Sequence, residues 1–117
     1  MKFLCLCNHG NVRSACMARE LKDLGHEAIA IGITPSIPNN PWEGFSNETI
    51  QLLYKWADIV LDFSDNAGGR ESILKKHKKY KKFHIGIDKW HNPFHPELRS
   101  IMQTIIQSLT YEVKDEN

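Results

Sequence analysis

Four short apolar runs, separated by segments with helical periodicity, constrain the fold of this chain more than any other feature. The first run shows no strict alternation, which is typical of a strand buried on both faces of a parallel sheet. Strands that alternate with helices form parallel sheets with helices packed on both faces. We therefore expect an α/β three-layer sandwich with a four-stranded parallel sheet in the order 2-1-3-4. The runs lie at residues 2–7, 28–33, 58–63 and 83–87.

The helices are predicted from apolar spacing and from signals at their ends. The first is expected to begin at Arg13 or Ser14 and to stop at Gly25, because glycine commonly ends helices. A second helix is expected from about residue 47, and a lysine-rich third helix follows the turn at residues 65–69. The last helix opens at Pro96, a residue favoured in the first turn. Its apolar residues recur at spacings of three and four, and they are Leu98, Ile101, Met102, Ile105, Ile106 and Leu109.

The composition fits one folded domain, which we expect at residues 1–112 with a short polar tail at 113–117. A formal net charge of +1 argues against a surface built as a whole for nucleic acid. No apolar run approaches the roughly 20 residues of a membrane-spanning helix, so no membrane partner is expected. The three cysteines cluster in the first 16 residues and do not form a disulfide framework. A reducing, cytoplasmic location follows as the expectation.

The segment between the first strand and the first helix carries the expected chemistry. A loop that runs from a strand into a helix N-terminus turns successive backbone N–H groups inward, next to the positive end of the helix dipole. This concavity suits a tetrahedral oxyanion, and the planar fork of Arg13 can hold two phosphate oxygens. The predicted phosphate-binding residues are Asn8, His9, Gly10, Asn11, Val12 and Arg13.

Cys7, at the end of the strand, is the predicted nucleophile. Helix N-termini and nearby cations favour the ionised form of a thiol, so we expect Cys7 to be a thiolate at neutral pH. Ser14 can donate a hydrogen bond to that thiolate and stabilise it as a leaving group. The alternative interpretation makes Cys7 a buried apolar residue and Arg13 a surface residue. The strand before the loop, the helix after it and the glycine within it favour the catalytic interpretation.

The segment CNHGNVRS resembles the Cys-x5-Arg-Ser signature of low-molecular-weight protein tyrosine phosphatases, and the succession of strands and helices is similar to theirs along nearly the whole chain. The resemblance implies a cysteinyl-phosphate intermediate, no metal and no other cofactor, and an aspartate that acts as general acid. It implies a phosphorylated protein or a small aryl phosphate as substrate, preferably phosphotyrosine, and phosphate, sulfate or vanadate as inhibitory ligands. The chain departs from the family pattern at Gly10 and Asn11, where the family has its asparagine one position earlier, and at Ala15, where it has proline.

Asp88 is the predicted general acid. The family carries an Asp-Pro-aromatic segment before its last helix, and Asp88-Lys89-Trp90 occupies the matching place after the fourth apolar run. A phosphomonoesterase needs such a group to protonate the leaving oxygen and then to activate water. Asp62 and Asp65 are the runners-up, although a carboxylate inside a strand needs a partner and Asp65 falls in a turn.

Trp42 and Trp90 are predicted to wall a cleft for an aromatic phosphoester, the alternative for Trp42 being that its ring packs on the core. A zinc site at Cys5, Cys7 and His9 is disfavoured, because alternate positions on one strand rarely close a tetrahedral shell. Two other functions stay open: a phosphate- or phosphoprotein-binding module without turnover, and a nucleic-acid binder that uses the lysine cluster at residues 75–82.

Overall fold

A four-stranded parallel sheet lies at the centre of the computed structural model, which describes residues 1–7, 12–33, 47–65, 79–86 and 89–109. Its spatial order is β2-β1-β3-β4, and every adjacent pair is parallel. Both the predicted fold class and the predicted strand order are therefore confirmed. The strands are β1 (Lys2–Cys7), β2 (Glu27–Gly32), β3 (Ile59–Asp62) and β4 (Tyr80–Lys82), and the helices are α1 (Arg13–Asp23), α2 (Asn47–Trp56) and α3 (Pro96–Ser108).

The two faces of the sheet carry separate apolar clusters. Successive side chains of a strand point to opposite faces, so β1 divides between them. Phe3, Cys5 and Cys7 join the cluster that contains residues of α1 and α3, whereas Leu4 and Leu6 join the cluster that contains residues of α2. The sheet is thus the middle one of three layers.

The ends of two helices follow the sequence signals. After α1, Gly25 has a backbone φ of 93°. Residues other than glycine rarely adopt this left-handed conformation. At the start of α3, the His95 side chain accepts a hydrogen bond from the backbone N–H of Glu97, and Pro96 occupies the first turn. The beginning predicted for α1 at Arg13 is also confirmed.

The position predicted for the fourth strand is wrong. The strand is Tyr80–Lys82 rather than residues 83–87, and described residues 83–86 contain no strand. Phe83 and Ile85, which made this run apolar, pack instead against the cluster on the α1 and α3 side. The strands β2 and β3 also differ from prediction by one residue at their ends. The lysine-rich helix predicted after the turn at residues 65–69 has its expected inner residues outside the described ones.

Within the described part of the chain, no helix is both long and apolar enough to cross a membrane.

Candidate active site

Cys7 is the last residue of β1, at the carboxyl end of a strand that pairs with β2 on one side and with β3 on the other. Its carbonyl oxygen accepts a hydrogen bond from the backbone N–H of Ile33 at 3.0 Å. In parallel sheets of this kind, ligands bind beyond the carboxyl ends of the strands. The fold therefore places the Cys7 thiol where the sequence predicted a nucleophile.

Ser14 contacts the thiol directly. The Sγ of Cys7 and the Oγ of Ser14 are 3.0 Å apart, and both side chains are buried. The contact arises because α1 begins at Arg13, so that its first turn faces the end of β1. A hydroxyl in this position can donate to an anionic sulfur, which is the role that the sequence predicted for it.

Arg13 is the first residue of α1, and its side chain is only 3% exposed. Its Nη1 lies 3.1 Å from Oδ1 of Asp65, a carboxylate that is 61% exposed. The structure thus brings Cys7, Arg13, Ser14 and Asp65 to one edge of the sheet. Among the other predicted phosphate-binding residues, Val12 directly precedes α1 and packs on the core. The remaining four, Asn8, His9, Gly10 and Asn11, lie outside the described residues.

Asp62, a runner-up for the general acid, is fully buried at the end of β3 and accepts several hydrogen bonds. Its Oδ1 accepts from the backbone N–H of Ser64 at 2.8 Å, and its Oδ2 accepts from the Tyr80 hydroxyl and lies 3.4 Å from Nζ of Lys82. Burial, and after it the negative charge of Asp62, raise the pKa of Tyr54, which lies in α2. These contacts fit a structural anchor for the carboxyl ends of β3 and β4.

The predicted acid Asp88 and the predicted cleft wall Trp42 lie outside the described residues. Trp90 is described, and it is 2% exposed within the cluster between the sheet and helices α1 and α3. The prediction that Trp90 walls a substrate cleft is therefore corrected, because in this structure its ring packs in the core. Asp88 remains a prediction from its place in the sequence.

The two other thiols are buried and lie in the same cluster as Cys7. Burial raises the pKa of Cys16 to about 11. Burial, with a smaller contribution from Cys7, also raises the pKa of Cys5 far above its usual value. These shifts keep both thiols protonated and unreactive at neutral pH. No three His, Cys, Asp or Glu residues in the described ranges form a group that could hold a metal ion.

Sequence reasoning missed two sets of contacts around the site. One is the Arg13–Asp65 ion pair, which joins residues 52 positions apart. The other is the bonding of Lys82 to Ser64, in which Nζ donates to the backbone oxygen at 2.5 Å and to Oγ at 3.0 Å. The one available signal was Asp62 itself, because a carboxylate inside an apolar strand requires partners.

No protein-family model matches this sequence, and no curated protein matches it. A solved structure does match: the YwlE arginine phosphatase, in a mutant with serine in place of cysteine and with a phosphorylated active-site serine. The two chains share 13% sequence identity and superpose with a TM-score of 0.60, over 94% of this chain and 96% of the other. A likeness at this identity establishes the fold, while function rests on the site. The chain therefore has the fold of the low-molecular-weight phosphatases, as its phosphate-loop sequence predicts.

Proposed function

We propose that this protein is a phosphomonoester hydrolase that acts through a cysteinyl-phosphate intermediate. The observation that carries the proposal is the contact of 3.0 Å between the Cys7 thiol and the Ser14 hydroxyl, formed where β1 meets the start of α1. The Ser14 hydroxyl and the N-terminus of α1 both lie at the sulfur that we propose as the nucleophile. The buried Arg13 guanidinium supplies a positive charge at the same junction.

The first chemical step transfers the phosphoryl group to sulfur. The Cys7 thiolate attacks phosphorus, an S–P bond forms, and the bond from phosphorus to the leaving oxygen breaks. The leaving oxygen takes a proton from Asp88, which is assigned this role from its sequence position. Arg13 stabilises the negative charge on the transferred phosphoryl oxygens, which is the dominant contribution that proteins make to phosphoryl transfer.

The second step releases phosphate and restores the thiolate. Asp88, now ionised, takes a proton from water, and the water oxygen attacks phosphorus. The S–P bond breaks, and its electron pair returns to Cys7 sulfur. Ser14 stabilises the departing thiolate through the hydrogen bond that the structure shows in the unphosphorylated protein.

We propose protein phosphotyrosine as the preferred substrate, on the strength of the Cys-x5-Arg-Ser resemblance. The similar structure belongs to an arginine phosphatase, so phosphoarginine is the second candidate. Both substrates present a phosphoryl group at the end of a long side chain, and the same Cys7 attack serves either. They differ in the bond broken, which is P–O in phosphotyrosine and P–N in phosphoarginine.

Turnover of a chromogenic aryl phosphate tests the hydrolase. We expect activity that vanadate blocks reversibly, that Cys7→Ser abolishes and that Cys16→Ala retains, because Cys16 is a buried thiol with a raised pKa. Phosphate binding without turnover would favour the binding module instead. Salt-sensitive oligonucleotide binding that is lost when the lysines of residues 75–82 are neutralised would favour the nucleic-acid binder. A panel of peptides with phosphotyrosine, phosphoserine or phosphoarginine then assigns the substrate.

A further inference from the structure

We propose that Asp65 is a positioning residue that holds the Arg13 guanidinium in the orientation in which it binds the phosphoryl group. The inference rests on the proposed function, in which Arg13 contacts phosphate. Asp65 is not part of the Cys-x5-Arg-Ser segment, and it comes to the site only through the fold. It stands three residues past the end of β3, a neighbour of β1 in the sheet.

The ion pair between Arg13 and Asp65 involves one nitrogen atom of the guanidinium. It joins Nη1 of Arg13 to Oδ1 of Asp65 at 3.1 Å. A guanidinium carries five N–H donors in a planar fork, and two parallel donors serve a phosphate or a carboxylate that is bound at two points. A contact through one nitrogen restricts rotation of the guanidinium. It differs from the two-point contact that a bound phosphate makes with two parallel donors. This arrangement fits a residue that orients Arg13 rather than one that imitates the substrate.

Hydrogen bonds to residues of three strands hold the backbone that leads into Asp65. The Ser64 N–H donates to Asp62 of β3, and the Ser64 carbonyl oxygen accepts from Lys82 of β4. Lys82 also donates to the Ser64 hydroxyl. On the other side, the N–H of Phe63 donates to the carbonyl oxygen of Leu6 in β1 at 2.8 Å. The exposed Asp65 carboxylate thus extends from a fixed backbone, as a supporting group for a site residue must.

Two opposing effects of the Asp65 charge can be compared. Its repulsion of a bound phosphate dianion weakens binding, but the carboxylate is 61% exposed, so solvent and salt screen that repulsion. The Arg13 side chain is 3% exposed, and hydrogen bonds made by a buried group are screened much less. We therefore expect the gain in phosphate affinity from a correctly oriented Arg13 to exceed the loss from charge repulsion. Removal of Asp65 should then weaken phosphate binding.

Calorimetric titration of the full chain with inorganic phosphate tests this directly. We expect Asp65→Ala to weaken phosphate binding about tenfold, as for a lost hydrogen bond to a charged group. Asp65→Asn keeps an acceptor oxygen and is expected to stay within about threefold of the wild type. Asp23→Ala, which removes the same charge from the exposed end of α1, is the matched control and is expected to change nothing. Unchanged or tighter binding by Asp65→Ala, or equal losses in the Ala and Asn variants, would overturn the proposal.

Kinetics with two aryl phosphates separate positioning from acid catalysis. A positioning residue acts through Arg13, so Asp65→Ala should lower kcat/KM by the same factor for good and poor leaving groups. Asp65→Asn should restore most of it. A much larger loss with the poor leaving group, without rescue by Asn, would identify Asp65 as the proton donor and refute the positioning role.

The two measurements also separate this inference from the proposed function. A wild-type chain that binds phosphate without turnover would refute the hydrolase, while the calorimetric ranking of the variants would still decide the role of Asp65. A wild-type chain that binds no phosphate would refute both. Thermal unfolding of each variant completes the set, and Asp65→Ser replaces Asp65→Ala if the latter lowers the Tm by more than about 5 °C.

Discussion

The Cys7 thiol and the Ser14 hydroxyl face each other at 3.0 Å across the junction of β1 and α1. Both residues are buried, so the hydrogen bond between them does not exchange freely with water. One residue belongs to the strand and the other to the first turn of the helix, which makes the contact dependent on the correct packing of the two elements. The surroundings of the proposed nucleophile thereby depend on the fold.

Ser14→Ala is expected to lower kcat about 10- to 100-fold, because a hydrogen bond to a charged group contributes about 1.5–3 kcal/mol. The loss should be clearest with an aryl phosphate that has a good leaving group, where breakdown of the phosphoenzyme limits turnover. Ser100→Ala, on the exposed side of α3, is the matched control. A Ser14→Ala variant with wild-type kcat would show that the hydroxyl does not assist the thiolate.

Alkylation should distinguish the three cysteines. Iodoacetamide at pH 7 is expected to modify Cys7 in the native protein and to modify Cys5 and Cys16 only after denaturation. Burial raises the pKa values of the latter two, and a pKa of about 11 leaves about one Cys16 thiol in 10⁴ ionised at pH 7. Mass spectrometry of the labelled peptides gives the order of reaction, and prior incubation with phosphate should protect Cys7 alone. Early labelling of Cys5 or Cys16 would contradict the burial seen in the structure.

Alkaline pH is expected to destabilise the fold through the same buried groups. The pKa of Cys16 is higher in the folded chain than in the unfolded one, so its contribution is complete below the unfolded value of about 8.5 and is lost as the pH rises to about 11. In that window the free energy of unfolding should fall by about 1.4 kcal/mol per pH unit for each such group. Cys5 and Tyr54 have pKa shifts of the same direction. Urea titrations from pH 8 to 10.5 measure the slope, and Cys16→Ala should make it shallower.

The ion pair between Glu20 of α1 and Arg99 of α3 is expected to stabilise the packing of these helices. Arg99 Nε lies 2.7 Å from Glu20 Oε1, and Gln103 donates to Oε2 at 3.3 Å. Burial opposes ionisation of Glu20, but these hydrogen bonds outweigh it and lower its pKa. Because Arg99 is half exposed, Arg99→Met should cost about 1 kcal/mol rather than the larger cost of breaking a fully buried pair.

The stability that the Glu20–Arg99 pair contributes is expected to depend on pH. A lowered carboxyl pKa gives stability that is present at neutral pH and is lost as the pH falls below about 4. Glu20→Gln should therefore lower stability at pH 7 and approach the wild type at pH 3, as measured by urea titration at both pH values. A constant difference between the two proteins at all pH values would mean that the charge of Glu20 contributes nothing.

Asp88→Asn should slow the cleavage of esters with poor leaving groups far more than those with good ones, by about 10²- to 10⁴-fold for the former. The reason is that only a poor leaving group needs a proton as the P–O bond breaks. Steady-state kinetics over a series of aryl phosphates measures the dependence on leaving-group basicity. Equal slowing across the series, or none, would assign the proton transfer to another residue.

Patterns within short stretches of sequence correctly predicted those elements whose ends and buried faces are set by residues close together in the chain. The apolar run of β1, the glycine after α1 and the regular spacing of α3 each specify their own element. That Cys7, Arg13 and Ser14 lie near one another could be predicted as well, because all three belong to one strand-to-helix segment. The contact between Cys7 and Ser14 joins residues of that same segment.

What could not be predicted depends on residues far apart in the chain. β4 is polar, and its Tyr80 and Lys82 are stabilised there by Asp62, which lies in a different strand. A search for apolar runs therefore placed the strand a few residues too late, at Phe83. Arg13 and Asp65 likewise meet only because β1 and β3 are neighbours. No spacing rule connects residues that are brought together by strand order.

The inner position of β1 has a consequence for how the site can move. Its residues Phe3 to Leu6 hydrogen-bond to strands on both sides, and Cys7 is paired with Gly32 at its end. Amide protons in such a strand exchange with solvent only when the whole domain opens. Within the described residues, the slowest-exchanging stretch should thus end at Cys7, the proposed nucleophile, so that the backbone carrying the thiol opens only with the domain.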